Sequence, residues 1–139
     1  MRLFPDSSTI IFSFEYEESN SAIIFNMILE GKFQGIINEK VIEEVRRYMK
    51  RQRGRNFAYM IESILRTHFE VHYLYEIEGE MRKWEGKIKR KDLEHIATVK
   101  KFDIPYLIAF DVDFTDFDEY YTPKEFLSKL GIEGFDSDY

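Results

Sequence analysis

The sequence predicts an α/β fold of three layers, in which helices cover both faces of a central, mainly parallel sheet of four to five strands. Short apolar runs of strand length recur along the chain. Segments with helical apolar spacing separate most of them, as the crossovers between parallel strands require. The run at residues 106–110 is apolar throughout, which is typical of a strand buried on both faces.

Five runs have the length and composition of strands. The first ends at Pro5, which interrupts a strand, and residues 68–74 alternate with a period of two. Residues 9–12 are apolar again, so the boundary between the first strand and the next element stays open. The predicted strands are residues 1–4, 33–37, 68–74, 106–110 and 120–121.

The predicted helices combine apolar residues three and four apart with polar caps and terminal glycines. Asn38 is a good N-cap, and Thr122 followed by Pro123 is a strong helix start. Residues 15–20 are polar and predict a loop. The predicted helices are residues 22–29, 39–53, 57–65, 77–84, 92–100 and 124–130. The predicted order is therefore β-α-β-α-α-β-α-α-β-β-α.

Length and composition indicate one globular domain. We expect residues 1–131 to form it and residues 132–139 to be a loose C-terminal tail. The chain has no cysteine, which excludes disulfide scaffolds, thiolate metal sites and cysteine nucleophiles and fits a reducing cytoplasm. We find no signal peptide and no segment able to span a bilayer, so we expect a cytoplasmic protein without membrane contacts.

The charge is unevenly distributed. The net charge of −6 argues against non-specific binding to nucleic acid or membranes. Residues 82–91 are nevertheless basic and residues 111–119 acidic. A second basic run follows an acid on one predicted helix, and it is either a solvated face or an RNA contact. Its cations are Arg46, Arg47, Lys50, Arg51, Arg53 and Arg55.

Four acids occupy corresponding places in the predicted fold. Asp6 follows the first strand, Glu44 lies on the helix after the second, Asp92 opens a later helix and Asp111 ends the fourth strand. Such places converge at one edge of a doubly wound sheet. Each acid also has an ordinary explanation, as a helix cap or a solvated side chain.

Carboxylates gathered in one pocket remain ionised only beside cations. A set of oxygen ligands without cysteine favours Mg²⁺ or Mn²⁺ over zinc. Such a centre suits phosphodiester hydrolysis, because the metal activates a water and stabilises the transition-state charge.

The order and character of five segments resemble a PIN domain, the small metal-dependent ribonuclease fold. The matching segments are Asp6-Ser7-Ser8 and residues 31–45, 91–97, 106–114 and 122–127. The resemblance implies an endoribonuclease that cleaves single-stranded RNA with Mg²⁺ or Mn²⁺ held by Asp6, Glu44, Asp92 and Asp111. It implies a supporting role for Asp113 and Ser8. It also implies a homodimer and an antitoxin partner, since many such proteins are toxins of toxin–antitoxin pairs.

Three departures from the family pattern leave an alternative open. Ser8 stands where the family has Asn, Ala109 where it has Thr, and Pro5 precedes the first acid. In this alternative the protein is a catalytically weak or inactive PIN-like module that binds RNA or a protein partner. A phosphoacceptor domain resembling a response regulator is a third hypothesis, but its Thr or Ser at a mid-sheet strand end is not evident.

Histidines and aromatic residues suggest further sites that have simpler explanations. His68, Glu70 and His72 alternate on a predicted strand and suit a metal, but exposed polar residues on a half-buried strand explain them better. His95 lies one turn from Asp92, either at the site or on a helix surface. Trp84 and the other aromatic residues are interpreted as core rather than as base-stacking surfaces.

Overall fold

A computed structural model describes all 139 residues. It contains a five-stranded sheet in the order β3-β2-β1-β4-β5, in which every pairing is parallel. The strands are β1 (Arg2–Pro5), β2 (Gln34–Asn38), β3 (Phe69–His72), β4 (Tyr106–Ile108) and β5 (Tyr120–Tyr121). The prediction of an α/β/α fold around a mainly parallel sheet is confirmed.

Seven α-helices connect and flank these strands. They are α1 (Ser7–Glu15), α2 (Asn20–Leu29), α3 (Glu39–Arg53), α4 (Arg55–His68), α5 (Leu74–Trp84), α6 (Leu93–Lys101) and α7 (Pro123–Lys129). Short 3₁₀ turns, Arg90–Asp92 and Val112–Phe114, precede α6 and follow β4. No helix combines the length and the apolar character needed to cross a membrane.

One helix is absent from the predicted element order. Residues 9–12, which the sequence left unassigned, belong to α1, so two helices rather than one separate β1 from β2. The helix begins directly after β1 because Asp6 caps it, with its side chain accepting a hydrogen bond from the backbone N–H of Thr9. The loop between the two helices is correspondingly short, at residues 16–19.

The third strand is shorter than its alternating pattern predicts. His68 ends α4 and the strand stops at His72, so His68 is not on the strand. The Glu76 carboxylate accepts a hydrogen bond of 2.7 Å from the backbone N–H of Tyr73, which caps α5 and begins it at Leu74, three residues before the predicted start. A local cap therefore prevails over the period-two pattern.

The core contains 26 buried apolar residues and includes the central strands. Leu3, Phe4, Ile36 and Leu107 are all 0% exposed. Gly35 on β2 is required by packing, because a Cβ atom there would lie 2.5 Å from the Phe69 ring. These strands form a rigid base for the loops at their carboxyl ends.

The C-terminal segment, described above as a loose tail, has no helix or strand but is bonded to the start of α2. The side chain of buried Asn20 accepts a hydrogen bond from the backbone N–H of Phe135 at 2.7 Å and donates to the carbonyl of that residue at 3.0 Å. The backbone N–H of Ser21 donates to the carbonyl of Tyr139 at 2.7 Å. Residues 132–139 therefore lie against α2.

Candidate active site

All four predicted acids line one pocket at the carboxyl ends of β1 and β4. The pocket has a volume of about 360 Å³. Its polar side chains belong to Asp6, Ser7, Ser8, Glu44, Lys91, Asp92, His95 and Asp111, and its apolar ones to Phe12 and Phe110. The parallel pairing of β1 with β4 explains the convergence, since the backbone N–H of Asp6 donates to the carbonyl of Ile108 at 3.0 Å.

Asp6 is held rigidly by one of its two carboxylate oxygens. Its Oδ1 accepts hydrogen bonds from the Thr9 backbone N–H at 3.0 Å and from the Ser8 hydroxyl at 2.8 Å. The side chain is only 7% exposed, and this burial raises the pKa of Asp6, although the hydrogen bonds from Thr9 and Ser8 oppose the rise. Oδ2 accepts no hydrogen bond from the protein and remains available to a ligand.

A hydroxyl lies close to the place where the family pattern has threonine and this chain has Ala109. The Thr9 hydroxyl is 3.0 Å from Asp6 Oδ1 and 2.9 Å from the carbonyl oxygen of Ile108, the residue before Ala109. It therefore joins the end of β4 to the first acid. Both Thr9 and Ala109 are buried beneath the pocket lining.

Glu44 is fixed by two neighbours, although 35% of its side chain is exposed. Its Oε1 accepts a hydrogen bond from the Ser7 hydroxyl at 3.3 Å and lies 3.2 Å from Nε2 of His95. Burial alone would raise the pKa of Glu44, but the hydrogen bond and charge of His95, with the nearby Lys40, outweigh it and lower that pKa. Glu44 therefore stays a carboxylate.

His95 is buried, so its interpretation as a helix-surface histidine is wrong. It is 3% exposed, and its ring packs 5.4 Å from that of Phe4. Nδ1 lies 3.3 Å from the side-chain nitrogen of Asn38, whose oxygen caps α3 by accepting from Val41. An amide nitrogen can only donate, which favours the tautomer with the proton on Nε2, facing Glu44. In the sequence, the position of His95 one helical turn after Asp92 was the feature that pointed to a place for His95 at the site.

Three acids form the closest cluster in the molecule. One carboxylate oxygen each from Asp92, Asp111 and Asp113 lies within 4.8 Å of the other two. Asp113 belongs to this cluster although it lines a neighbouring cavity rather than the pocket. Asp6 and Glu44 share the pocket with Asp92 and Asp111 but lie outside the cluster.

Asp92 does not act as an ordinary helix cap. It precedes α6 without a side-chain capping bond, and its buried Oδ2 has no hydrogen-bond partner. Burial raises the pKa of Asp92, and the negative charges of Asp111 and Asp113 raise it further, against the opposing effect of Lys91. An unpartnered buried carboxylate oxygen is costly, and a cation would satisfy it.

Asp111 has a different environment within the same cluster. Its Oδ1 accepts a hydrogen bond from the backbone N–H of Asp113 at 2.9 Å and so caps the 3₁₀ turn. Burial alone would raise the pKa of Asp111, but the contacts with Lys91 and Asp113 outweigh it and lower that pKa. Asp111 is therefore ionised and oriented.

Lys91 is a residue of the site that the sequence analysis did not single out. Its ammonium nitrogen lies 2.7 Å from Asp111 Oδ2, 3.8 Å from Asp92 Oδ2 and 3.9 Å from Asp113 Oδ2. Its position next to Asp92 in the sequence was the available signal. The lysine places one positive charge among the three carboxylates.

The donor set fits a hard divalent cation. The cluster offers three carboxylates, one of which has a buried oxygen without a partner. No nitrogen or sulfur ligand belongs to the cluster, and oxygen ligands favour Mg²⁺, Mn²⁺ or Ca²⁺ over zinc.

The basic run on α3 is separate from the acid pocket. Arg46 pairs with Glu62 at 3.0 Å, and Arg53 lies 3.5 Å from Glu15. Arg46, Lys50 and Arg55 line a different cavity of about 210 Å³. The predicted RNA contacts of this run stay a prediction.

Comparisons with known proteins identify the fold. No protein-family model matches the chain, and no curated protein matches it. A toxin–antitoxin complex from Klebsiella pneumoniae superposes with a TM-score of 0.67 at 20% identity, covering 88% of this chain and 98% of the other.

Two further solved structures are similar. VapBC2 from Rickettsia felis, bound to a promoter DNA fragment, has a TM-score of 0.61 at 10% identity and covers 84% of this chain and 92% of its own. VapC20 of Mycobacterium tuberculosis, a sarcin–ricin loop cleaving toxin, has a TM-score of 0.61 at 17% identity. The match covers 82% of this chain and 93% of VapC20. The chain therefore has a PIN-domain fold of the kind found in VapC toxins.

Proposed function

We propose that the protein is a Mg²⁺- or Mn²⁺-dependent endoribonuclease that hydrolyses phosphodiester bonds of single-stranded RNA. The observation that carries the proposal is the cluster of Asp92, Asp111 and Asp113, with one buried oxygen that lacks a partner, beside a pocket that also holds Asp6 and Glu44. The similarity in fold to a toxin described as cleaving the sarcin–ricin loop supports ribonuclease chemistry.

In this proposal Asp92, Asp111 and Asp113 hold the metal, with Asp6 and Glu44 completing the site. The metal, when bound, supplies an activated water and positive charge for the developing phosphorane-like transition state. Asp6 is an acid suited to receive a proton from a water at the site, because its Oδ2 accepts no hydrogen bond from the protein. Glu44, whose pKa is lowered, is better suited to orienting than to accepting a proton.

Supporting residues keep these acids in place. The Ser8 hydroxyl restricts Asp6, and Ser7 and His95 restrict Glu44. The contacts of Ser7 and His95 with Glu44 join α1 and α6 to α3, whereas the Ser8 contact lies within the cap of α1. Substrate phosphates thus meet carboxylates of fixed orientation, which lowers the reorganisation needed during reaction.

We further propose that the protein is a toxin neutralised by a protein antitoxin and that it forms a homodimer. The similar structures include a toxin–antitoxin complex, which supports a protein partner. The chain has large exposed apolar side chains available for such contacts, among them Tyr59 and Met60 on α4 and Leu74 and Tyr75 on α5. Co-purification with the product of an adjacent small gene tests the partner, and light scattering tests the dimer.

A binding module without catalysis is the second candidate. It is favoured by Lys91, whose ammonium group pairs with Asp111 at 2.7 Å and so occupies part of the acid cluster. A protein of this kind would bind RNA or a protein partner but would not cleave RNA. Failure to bind Mn²⁺ at millimolar concentration would favour this candidate over the nuclease.

The nuclease proposal is tested with Asp6→Asn and Asp92→Asn. Both variants should reduce Mn²⁺-dependent cleavage of a labelled single-stranded RNA to the level seen with EDTA, because each loses a carboxylate of the site. Glu43→Gln is the matched control, since Glu43 is exposed next to Glu44 on α3. Circular dichroism establishes that the variants are folded. Undiminished cleavage by both variants would refute the assignment.

A further inference from the structure

A second cavity borders the acid cluster. It has a volume of about 380 Å³. Its apolar side is lined by Trp84, Ile88 and Phe117, and its polar side by Lys87, Lys89, Asp113 and Asp116. Asp113 belongs to both the cavity and the acid cluster. Lys89 lies at this border, with its ammonium nitrogen 2.9 Å from Asp113 Oδ2. The cavity therefore adjoins the carboxylates to which we assign the metal.

The aromatic wall of this cavity is held in a defined orientation. The indole N–H of Trp84 donates a hydrogen bond of 3.1 Å to Glu80 on the same helix, which fixes the ring. The Phe117 ring lies 5.5 Å from the Trp84 ring with the two planes inclined by 57°. The ammonium nitrogens of Lys87 and Lys100 lie 5.5 Å and 5.4 Å from the indole centroid. Trp84 is only partly buried, so part of its surface remains accessible.

The two lysines of this cavity differ in their contacts. Lys87 forms no ion pair but lies over the Trp84 ring. In the basic run Arg46 and Arg53 contact Glu62 and Glu15, whereas its other cations form no ion pair. Lys89 pairs only with Asp113, and it becomes free for a phosphate once Asp113 has another positive partner. Residues 87–91 carry four cations within five positions, directly beside the acid cluster.

A partly exposed aromatic ring beside lysines is an arrangement that binds single-stranded nucleic acid, by stacking of a base and attraction of its phosphate. The volume of the cavity is within the range of small-ligand sites, roughly 300–1,000 Å³. The shared Asp113 makes the cavity continuous with the proposed site of phosphodiester cleavage.

We propose that the cavity at Trp84 binds an unpaired base of the RNA substrate, and that Lys87 and Lys89 hold the phosphate between this base and the cleavage site. The proposal rests on the proposed ribonuclease function and assigns part of the RNA path to residues 84–89. The subsite positions the substrate and takes no part in bond breaking.

The chain provides its own probe, because Trp84 is its only tryptophan. Titration with hexauridylate in EDTA, which prevents metal-dependent cleavage, should quench the fluorescence of Trp84 in a saturable way. The paired substitution Lys87→Gln with Lys89→Gln should weaken binding about tenfold and make its salt dependence shallower, because phosphate contacts set that slope. Lys101→Gln is the control, since Lys101 is exposed and forms no ion pair.

Fluorescence anisotropy of labelled hexauridylate measures binding independently of Trp84. Retained binding by Trp84→Phe together with weaker binding by Trp84→Ala supports stacking, provided that circular dichroism shows both variants folded. Two results would overturn the subsite. One is Trp84 fluorescence that does not change on addition of hexauridylate. The other is a loss of binding confined to the paired substitution of Lys50 and Arg51 on α3. These results do not depend on cleavage. If hexauridylate quenches Trp84 but the protein cleaves no RNA, the subsite proposal stands and the ribonuclease proposal fails. If the protein cleaves RNA but Trp84 is not quenched, only the subsite proposal fails.

Discussion

Lys91 places its ammonium group where the proposed metal would bind, which leads to a quantitative prediction. The nitrogen lies within 4 Å of one oxygen of each acid in the cluster, and the shortest distance, 2.7 Å, is to Asp111. A metal shared by the same three oxygens needs nearly the same position. Metal binding must therefore displace Lys91, and Lys91→Met should bind Mn²⁺ more tightly than the natural protein does.

The expected gain follows from the exposure of the ion pair. The side chain of Lys91 is 61% exposed and that of Asp111 is 25% exposed, so solvent weakens their attraction. Pairs of this kind contribute about 0.5–1 kcal/mol. Removing the competition should tighten Mn²⁺ binding by about two- to fivefold.

Mn²⁺ titration followed by electron paramagnetic resonance of the free ion measures this difference directly. Lys91→Arg should behave like the natural protein, because it keeps the positive charge, and Lys101→Met should change nothing. The advantage of Lys91→Met should shrink as ionic strength rises, since salt screens the exposed pair. Equal or weaker Mn²⁺ binding by Lys91→Met would refute the competition and show that Lys91 helps to assemble the cluster.

Two further predictions concern stability. In metal-free buffer Asp92→Asn should raise the melting temperature by about 3 °C. The substitution removes a buried negative charge whose Oδ2 has no hydrogen-bond partner, which costs about 1 kcal/mol. A lower melting temperature would contradict this. Burial alone would raise the pKa of Glu62, but hydrogen bonds from Arg46 and Arg66 lower it below its ordinary value of 4.5. The stabilisation by Glu62 is then complete above pH 4.5 and is lost as the pH falls through the pKa of Glu62 in the folded state. Glu62→Gln should therefore lower the melting temperature by about 3 °C at pH 7 and by less in acid. Glu78→Gln is the control and should change the melting temperature at neither pH.

Elements with clear local signals were predictable. The caps Asn38 and Thr122 act as expected, since each accepts a hydrogen bond from the backbone of the following helix. The signal for α1 was weaker, because the apolar residues 9–12 continue the apolar character of β1 and left the end of the first strand open. The cap that begins α5 was also missed, and this made the third strand too long.

The candidate site was predictable only in its acids. Carboxylates at strand ends and at a helix start can be recognised because parallel strands bring those ends together. The contacts of these acids involve distant segments: Ser7 and Glu44 are 37 residues apart, and Glu44 and His95 are 51 apart. No local periodicity reports such pairings, so the burial of His95 and the bond of Lys91 to Asp111 were missed.

By itself, the sequence determined an α/β/α fold with a mainly parallel sheet and a set of acids at the carboxyl ends of its strands, because apolar periodicity and helix caps act between near neighbours. Only the tertiary structure decided which groups satisfy those acids. It places Lys91 among three carboxylates and positions the Trp84 cavity beside Asp113. It also leaves Asp92 Oδ2 without a hydrogen-bond partner. These relations depend on how crossovers and loops pack over the strand ends, which sequence spacing does not specify.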